Sequence, residues 1–434
     1  MKIINEIGRI RQYLSILILL PVILQAQVNK GIQFETGLNW KQVLEKAKLE
    51  RKNIFIDCFA TWCEPCKYME KNVFPNDTVG SYMNEQFISV KIQFDSTKED
   101  NEEARKWYSD ANSLREKYKI TAYPAYLFFT SEGKILHKDV GAKSIDDFIS
   151  AVANSLKPEK QYYILLDDYQ RGIKNYKGLP YLANTAERLG EKDLAYSVAC
   201  DYIGNYLFSL EEGEFYSKKN IEFMDVYIEN SGDMSFDIFY KHSERVNSIM
   251  GKKEYAQGIV DRIITKEEID PIKQLNENAE DLNWKKMYIN IKLKYGKSYA
   301  DRNILKAKES WYFKKEKWAE FINYAIKDIE TYGVDTTSFW GDAILNDTAW
   351  YIFLHSKNRN QIKQAIKWMQ SVTVRNPKSS GNLDTYANLL YKLGNNKEAI
   401  QVEEAAEGLS PDAKDIQDVL TKMRKGEPTW IGSN

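Results

Sequence analysis

Cys63 and Cys66 stand two residues apart in "FATWCEPCKYME", residues 59 to 70. A cysteine pair at this spacing has three chemistries open to it. It can shuttle electrons between dithiol and disulfide, clamp a metal, or staple a secreted chain. The chain has 434 residues and 4 cysteines, Cys58, Cys63, Cys66 and Cys200, too few for a disulfide framework. A zinc site normally takes four Cys or His ligands, often as two pairs. Here there is one CxxC pair, and the 3 histidines, His137, His242 and His355, are far apart. That scatter also argues against a Cys/His nucleophile. Copper carriage through Cys63 and Cys66 lacks a neighbouring Met or His pair. The expectation is therefore no metal and no bound cofactor.

The surrounding pattern positions the pair. "NWKQVLEKAKLERK" (39–52) has Trp40, Val43, Leu44 and Ala47 at helical spacing. "NIFIDCFATW" reads as a short buried strand running into the cysteines. Pro65 suits a first helical turn because it has no N–H to satisfy there. "CKYMEKNVF" reads as helix, with Cys66, Met69 and Val73 near one face. Cys63 thus falls where a strand gives way to a helix. Helix N-terminal amides favour an anion, here the Cys63 thiolate, the species that attacks a disulfide. Cys66, one turn inside, is expected to be shielded and able to resolve a mixed disulfide. Glu64 opposes the thiolate and should bias the couple toward reduction.

Further along, "FISVKIQFD" (87–95) reads as a second buried strand. Residues 102–118 carry apolar positions at helical intervals. "ITAYPAYLFFT" (120–130) is a third strand entered through Tyr123-Pro124. "SEGK" is a hairpin turn, "ILHKDVGA" pairs back, and "SIDDFISAVANSL" (144–156) is a closing helix capped by Ser144. Cys58 points to the strand face opposite Asp57 and is expected to be inert core, as is Cys200 in its helical region.

This order, strand-WCxxCK-helix, then KxxxD on a strand, then a lone proline opening a strand, resembles the thioredoxin fold over residues 33–156. "CKYMEKNVFPNDTV" further resembles the secreted thioredoxins found as the C-terminal domain of the DsbD family. The "CEPC" form is similar to extracytoplasmic reducing thioredoxins that serve cytochrome c maturation. The resemblance implies that Cys63 attacks and Cys66 resolves, the two forming a redox disulfide. It places Asp57 at the buried carboxylate that exchanges a proton with the resolving thiol, and Lys91 at the buried lysine beside it. It makes Pro124 the cis-proline next to the active site, with Tyr123-Pro124 offering backbone groups to the substrate chain. Trp62 would flank the pair. One departure is the 18 or so residues, 96 to 113, after Asp95, more than a compact thioredoxin needs.

The first 27 residues differ from the rest. Lys2, Arg9 and Arg11 precede an apolar run, Tyr13 to Leu24, and "LQAQ" follows. This is the order of a secretory signal peptide, too short for a membrane span. Export, to the periplasm of a Gram-negative bacterium, is the expected localisation. No later run is apolar for long enough to cross a bilayer. With 61 Lys plus Arg against 62 Asp plus Glu, nucleic-acid binding is not expected. The 28 Tyr and 10 Trp read as helix-packing aromatics.

After Pro158 the pattern is helical throughout. "LGEKDLA" (189–195), "MGKKEYA" (250–256), "FKKEKWA" (313–319) and "LGNNKEA" (393–399) share an apolar residue, a polar turn and an Ala that permits close helix contact. "QAIKWMQSVTVRNP" (364–377) and "EAIQVEEAAEGLSP" (398–411) resemble tetratricopeptide repeats, with Ala365/Ala399, Ile366/Ile400 and Pro377/Pro411 in register. The expected organisation is a signal peptide (1–27), an α/β thioredoxin-like domain (33–156), a helical array of degenerate repeats (160–340) and tetratricopeptide-like repeats (341–425). The latter two form an all-α solenoid. The expected function is an exported thiol–disulfide oxidoreductase acting on disulfide-containing clients and recharged by a membrane thiol reductant. The alternative is a binding or scaffold protein whose repeats recruit a partner, with the thioredoxin domain as platform.

Overall fold

The computed structural model describes residues 31–336 and 339–430. The expected signal peptide, residues 1–27, lies outside them. The chain divides into two compact units, one through Phe215 and one from Tyr216 onward.

The first unit is built on five strands: β1 (Phe34–Glu35), β2 (Asn53–Phe59), β3 (Phe87–Gln93), β4 (Ala125–Phe129) and β5 (Ile135–Val140). Their order in the sheet is β1-β3-β2-β4-β5. β3 lies parallel to both β1 and β2, while β4 runs antiparallel to β2 and β5 to β4. Six helices belong to this layer: α1 (Trp40–Glu50), α2 (Glu64–Asn72), α3 (Asp77–Gln86), α4 (Glu102–Lys106), α5 (Tyr108–Tyr118) and α6 (Ile145–Ser155). Side chains alternate across each strand, so the sheet has two separate apolar faces. Ile54, Ile56, Cys58, Leu127 and Phe129 pack under α1 and α5. Phe55, Tyr126 and Phe128 pack under α2, α3 and α6. Because both faces are covered, the central strands read as unbroken apolar runs. Local signals fix the helix starts. Asn39 and Gln42 close a capping box on α1, and Ser144 caps α6 through the Asp147 N–H.

Several details differ from the sequence expectation. The helix expected over 102–118 breaks at Trp107, whose buried indole sits in the core between α4 and α5. The strand expected over 120–130 begins at Ala125, since Pro124 has no N–H for the ladder. Helix α3 and strand β1 were not predicted. Helix α3 holds Gly80 against Gly31, where a Cβ would come within 2.2 Å of the Gly31 carbonyl oxygen.

Four more helices complete this unit: α7 (Tyr162–Gln170), α8 (Leu179–Arg188), α9 (Lys192–Asn205) and α10 (Glu212–Phe215). α7 packs against β5. Three consecutive residues of that strand, His137, Lys138 and Asp139, are buried. His137 Nδ1 accepts the Tyr162 N–H of α7, Lys138 Nζ donates to the carbonyls of Tyr118 and Lys119 that end α5, and Asp139 pairs with Lys143 and with Arg188 of α8.

The second unit is all-α among its described residues. Its helices are α11 (Lys218–Tyr227), α12 (Phe236–Lys241), α13 (Ser243–Met250), α14 (Tyr255–Ile264), α15 (Asp270–Leu275), α16 (Trp284–Tyr295), α17 (Lys297–Lys314), α18 (Trp318–Tyr332), α19 (Phe339–His355), α20 (Arg359–Arg375), α21 (Ser380–Leu393), α22 (Asn396–Leu409) and α23 (Lys414–Lys425). From α16 to α23 each helix packs on the next. Pro377 and Pro411 fall just past α20 and α22, and Ala365 and Ala399 are fully buried on those helices. Of the four recurring turns, three place Gly190, Gly251 or Gly394 in the left-handed conformation and bury the following Ala195, Ala256 or Ala399. In the fourth, Glu316 takes that conformation and Ala319 is exposed, so this unit is out of step with the rest. No described helix is long and apolar enough to cross a membrane.

Candidate active site

Cys63 is the N-cap residue of α2, and Pro65 sits in its first turn. Cys63 and Cys66 are joined by a disulfide, with an S–S distance of 2.07 Å and Cα atoms 5.3 Å apart. The Cys66 N–H donates to Cys63 Sγ at 3.1 Å. This is the bond a capping side chain makes, and it would hold a Cys63 thiolate equally well once the pair is reduced. Glu64 is exposed, and Lys67 binds its carboxylate at 2.5 Å. The charge expected to oppose the thiolate is thus partly neutralised within the same helical turn. Burial does not separate the two cysteines as expected. Cys63 is 2% exposed and Cys66 7%, because Ala60, Phe59 and Tyr123 pack around both.

Trp62 is 68% exposed and meets the Tyr123 ring edge-on at 6.0 Å. Tyr123 in turn contacts Phe94 at 5.9 Å. The Tyr123–Pro124 peptide bond is cis, and the Pro124 carbonyl accepts the Gly141 N–H at 2.8 Å.

Asp57 lies behind the pair on β2 and is buried. Its cross-strand partners are Lys91 on β3 and Tyr126 on β4. Burial pushes its carboxyl up to about 7; the Lys91 charge opposes this and the Glu70 charge adds to it. Lys91 is not the buried lysine the resemblance implied. Its side chain is 23% exposed, Glu70 of α2 binds its ammonium at 2.7 Å, and it lies over the rings of Phe34 and Phe59. β1 is too short to close this end of β3, and α2 supplies a carboxylate in reach. Cys58 faces away into the other core, where burial pushes its thiol well up. Cys200 on α9 is half-buried rather than fully buried.

One contact that the sequence does not show supports the cysteine turn. The Asp95 carboxylate accepts the Thr61 N–H at 3.0 Å and also the Thr61 hydroxyl. It fixes the residue two before Cys63. The extra length after Asp95 folds around Asp100, which accepts from the Thr97 N–H and hydroxyl, the Gln93 amide and the Tyr108 hydroxyl. Those bonds hold the Asp100 carboxyl well below the usual range. Asp95 is the acidic residue of the KxxxD pattern, but nothing in that pattern points to Thr61. Among the described residues no three His, Cys, Asp or Glu side chains are placed to hold a metal ion.

Taken together, the strand order, the cis-proline loop and a disulfide capping a helix define a thioredoxin-like protein. Residues 40–155 match the family model of the thioredoxin-like domain, and through that segment the chain belongs to the thioredoxin family. Thioredoxin H1 of Arabidopsis thaliana is 32% identical over 125 residues, which covers 29% of this chain and 92% of that protein. The thiol:disulfide interchange protein DsbD of Colwellia psychrerythraea is 32% identical over 95 residues, 22% of this chain and 14% of DsbD. The solved structure of DsbH oxidoreductase is 23% identical and covers 29% of this chain and 85% of its own, with a TM-score of 0.25.

Proposed function

We propose that this protein is an exported thiol–disulfide oxidoreductase that reduces or isomerises disulfides of client proteins. The observation that carries the reading is the Cys63–Cys66 disulfide with Cys63 as the N-cap of α2. In the reduced form the Cys63 thiolate attacks a client disulfide. A Cys63–client bond forms and one client sulfur leaves as thiol. Cys66 then attacks Cys63 Sγ, the Cys63–Cys66 disulfide reforms, and the second client sulfur is released. Two electrons have passed to the client. The Cys66 proton goes to Asp57, whose carboxyl, at about 7, is poised to take and release it near neutral pH. Lys91 favours the charged form of Asp57. The backbone at Tyr123-Pro124 would meet the client chain, and exposed Trp62 gives it an apolar contact. Glu64, even paired with Lys67, leans the couple toward reduction.

No bound cofactor takes part. The electrons return from a membrane thiol reductant, and the site of action is the periplasm. The thioredoxin-like domain over 33–156 carries the chemistry. The helices over 160–340 and the tetratricopeptide-like repeats over 341–425 form a solenoid that recruits the client. This last point also supports a second reading, in which the repeats bind a partner and the thioredoxin domain is a platform. Insulin reduction by the purified protein, with its potential poised against glutathione or dithiothreitol, decides between them. Turnover supports the enzyme. No turnover, with noncovalent partners alone recovered, supports the binding protein.

A further inference from the structure

Among the buried polar atoms of the sheet that have no hydrogen-bond partner, two belong to facing residues. One is Asp57 Oδ1, the other the Tyr126 hydroxyl. The two residues are direct cross-strand partners, on the face covered by α2, α3 and α6. Such partners have Cβ atoms about 4.5–5.5 Å apart. Buried polar groups are almost always bonded, so a neighbouring pair of orphans calls for an explanation.

The charged groups that face them are already engaged. The Lys91 ammonium is held by Glu70 at 2.7 Å. Asp139, opposite Tyr126 on β5, accepts the Val140 N–H at 2.9 Å and pairs with Lys143 at 3.0 Å and Arg188 at 3.5 Å. α6 brings Phe148 and Val152 to this face, α3 brings Val79 and Met83, and α2 brings Met69 beside Glu70 and the bonded Cys66. Cys58 faces the opposite core. The Ser89 hydroxyl on this face is also unbonded, but it stands opposite Phe55; the unbonded hydroxyl directly across from Asp57 is that of Tyr126.

We propose that the Tyr126 hydroxyl is the hydrogen-bond donor to the Asp57 carboxylate, through one bridging water, and thereby sets the proton affinity of the acid that serves the resolving step. This rests on the reading that Asp57 takes the Cys66 proton. In that step the Cys66 S–H gives its proton to Asp57 while its electron pair attacks Cys63 Sγ and the client sulfur leaves. Tyr126 keeps its own proton throughout and acts only as a positioning residue. Its bond to the carboxylate favours the charged form. Removing the hydroxyl raises the proton affinity of Asp57.

The test is the pH profile of the resolving step in the full chain, followed by stopped-flow over about pH 5 to 9, a range that brackets carboxyl titration shifted by burial. Tyr126→Phe should move the Asp57 limb to higher pH by about 0.5–1 unit, the size expected for loss of one hydrogen bond to a carboxylate. A profile superimposable on that of the unaltered protein overturns the proposal. A second measurement needs no variant: the ring-carbon resonance of Tyr126 should step with the same midpoint as the Asp57 carboxyl. A flat Tyr126 signal while Asp57 titrates overturns it too. Asp57→Asn separates the two ideas. If it leaves the resolving step and its profile unchanged, the role of Asp57 falls and this proposal with it. If Asp57→Asn slows the step and Tyr126→Phe leaves the profile in place, the Tyr126 proposal alone falls.

Discussion

His137 Nδ1 accepts the backbone N–H of Tyr162 at 3.1 Å, so an imidazole on strand β5 holds the first turn of α7. The bond requires the neutral ring, and burial lowers the His137 pKa to about 4. The folded affinity for a proton is thus below the unfolded value of 6.5. Stability is full above that value and declines as pH falls from 6.5 toward 4. Between about pH 7 and pH 5 the first unit should lose about 2 kcal/mol from this group. Urea titrations at the two pH values measure it, and His137→Asn should flatten the slope.

Asp57 has the opposite sign. Its folded pKa is raised from 3.8 to about 7, so stability declines as pH rises through that window. Asp57→Asn should stabilise the first unit above neutral pH by on the order of 4 kcal/mol. The same variant should slow the resolving step on the order of 10²-fold near neutral pH, the usual size of an acid–base contribution. A variant that is more stable and equally fast would contradict the role given to Asp57.

The cysteine pair should split cleanly. Cys63→Ser is expected to abolish insulin reduction. Cys66→Ser should keep the attack and lose the release, so disulfide-linked clients accumulate. Non-reducing gels of an expressing periplasm, followed by mass spectrometry of the trapped species, read this out. Equal trapping by both variants would contradict the assigned order of attack.

In the second unit, Glu403 of α22 is fully buried with its carboxyl against that of Asp384 of α21, to which a protonated Glu403 donates a hydrogen bond. Burial and the neighbouring carboxylate push the Glu403 carboxyl well up, so at neutral pH it keeps its proton. Its folded affinity exceeds the unfolded one, and stability should decline as pH rises above the ordinary glutamate range. Glu403→Gln, which imitates the protonated form, should raise the thermal midpoint of this unit, and more at pH 8 than at about pH 5. An equal shift at both pH values would show that Glu403 is not holding a proton.

Much of the first domain was legible because its signals are local. The run Asn53 to Phe59, Pro65 after Cys63, and Ser144 three residues before Asp147 each dictate an element without help from the rest of the chain. The misses came from tertiary packing. β1 has two residues, too few to show any period. Gly80 inside α3 reads as a helix breaker until Gly31 is seen against it. The Asp95 bond to Thr61 spans 34 residues of sequence. Tyr126 hides in an apolar run, and Lys91 is defined by Glu70, which a helix brings from elsewhere.

Strand β5 ends the sheet beyond β4. An uncovered edge strand offers its backbone to any extended chain and invites aggregation. Here α7 packs against the strand, and two buried charges, Lys138 and Asp139, are satisfied by this protein's own backbone and side chains. A stray strand docking there would have to strip those partners away. Those satisfied contacts make this edge of the sheet a poor template for any extended chain.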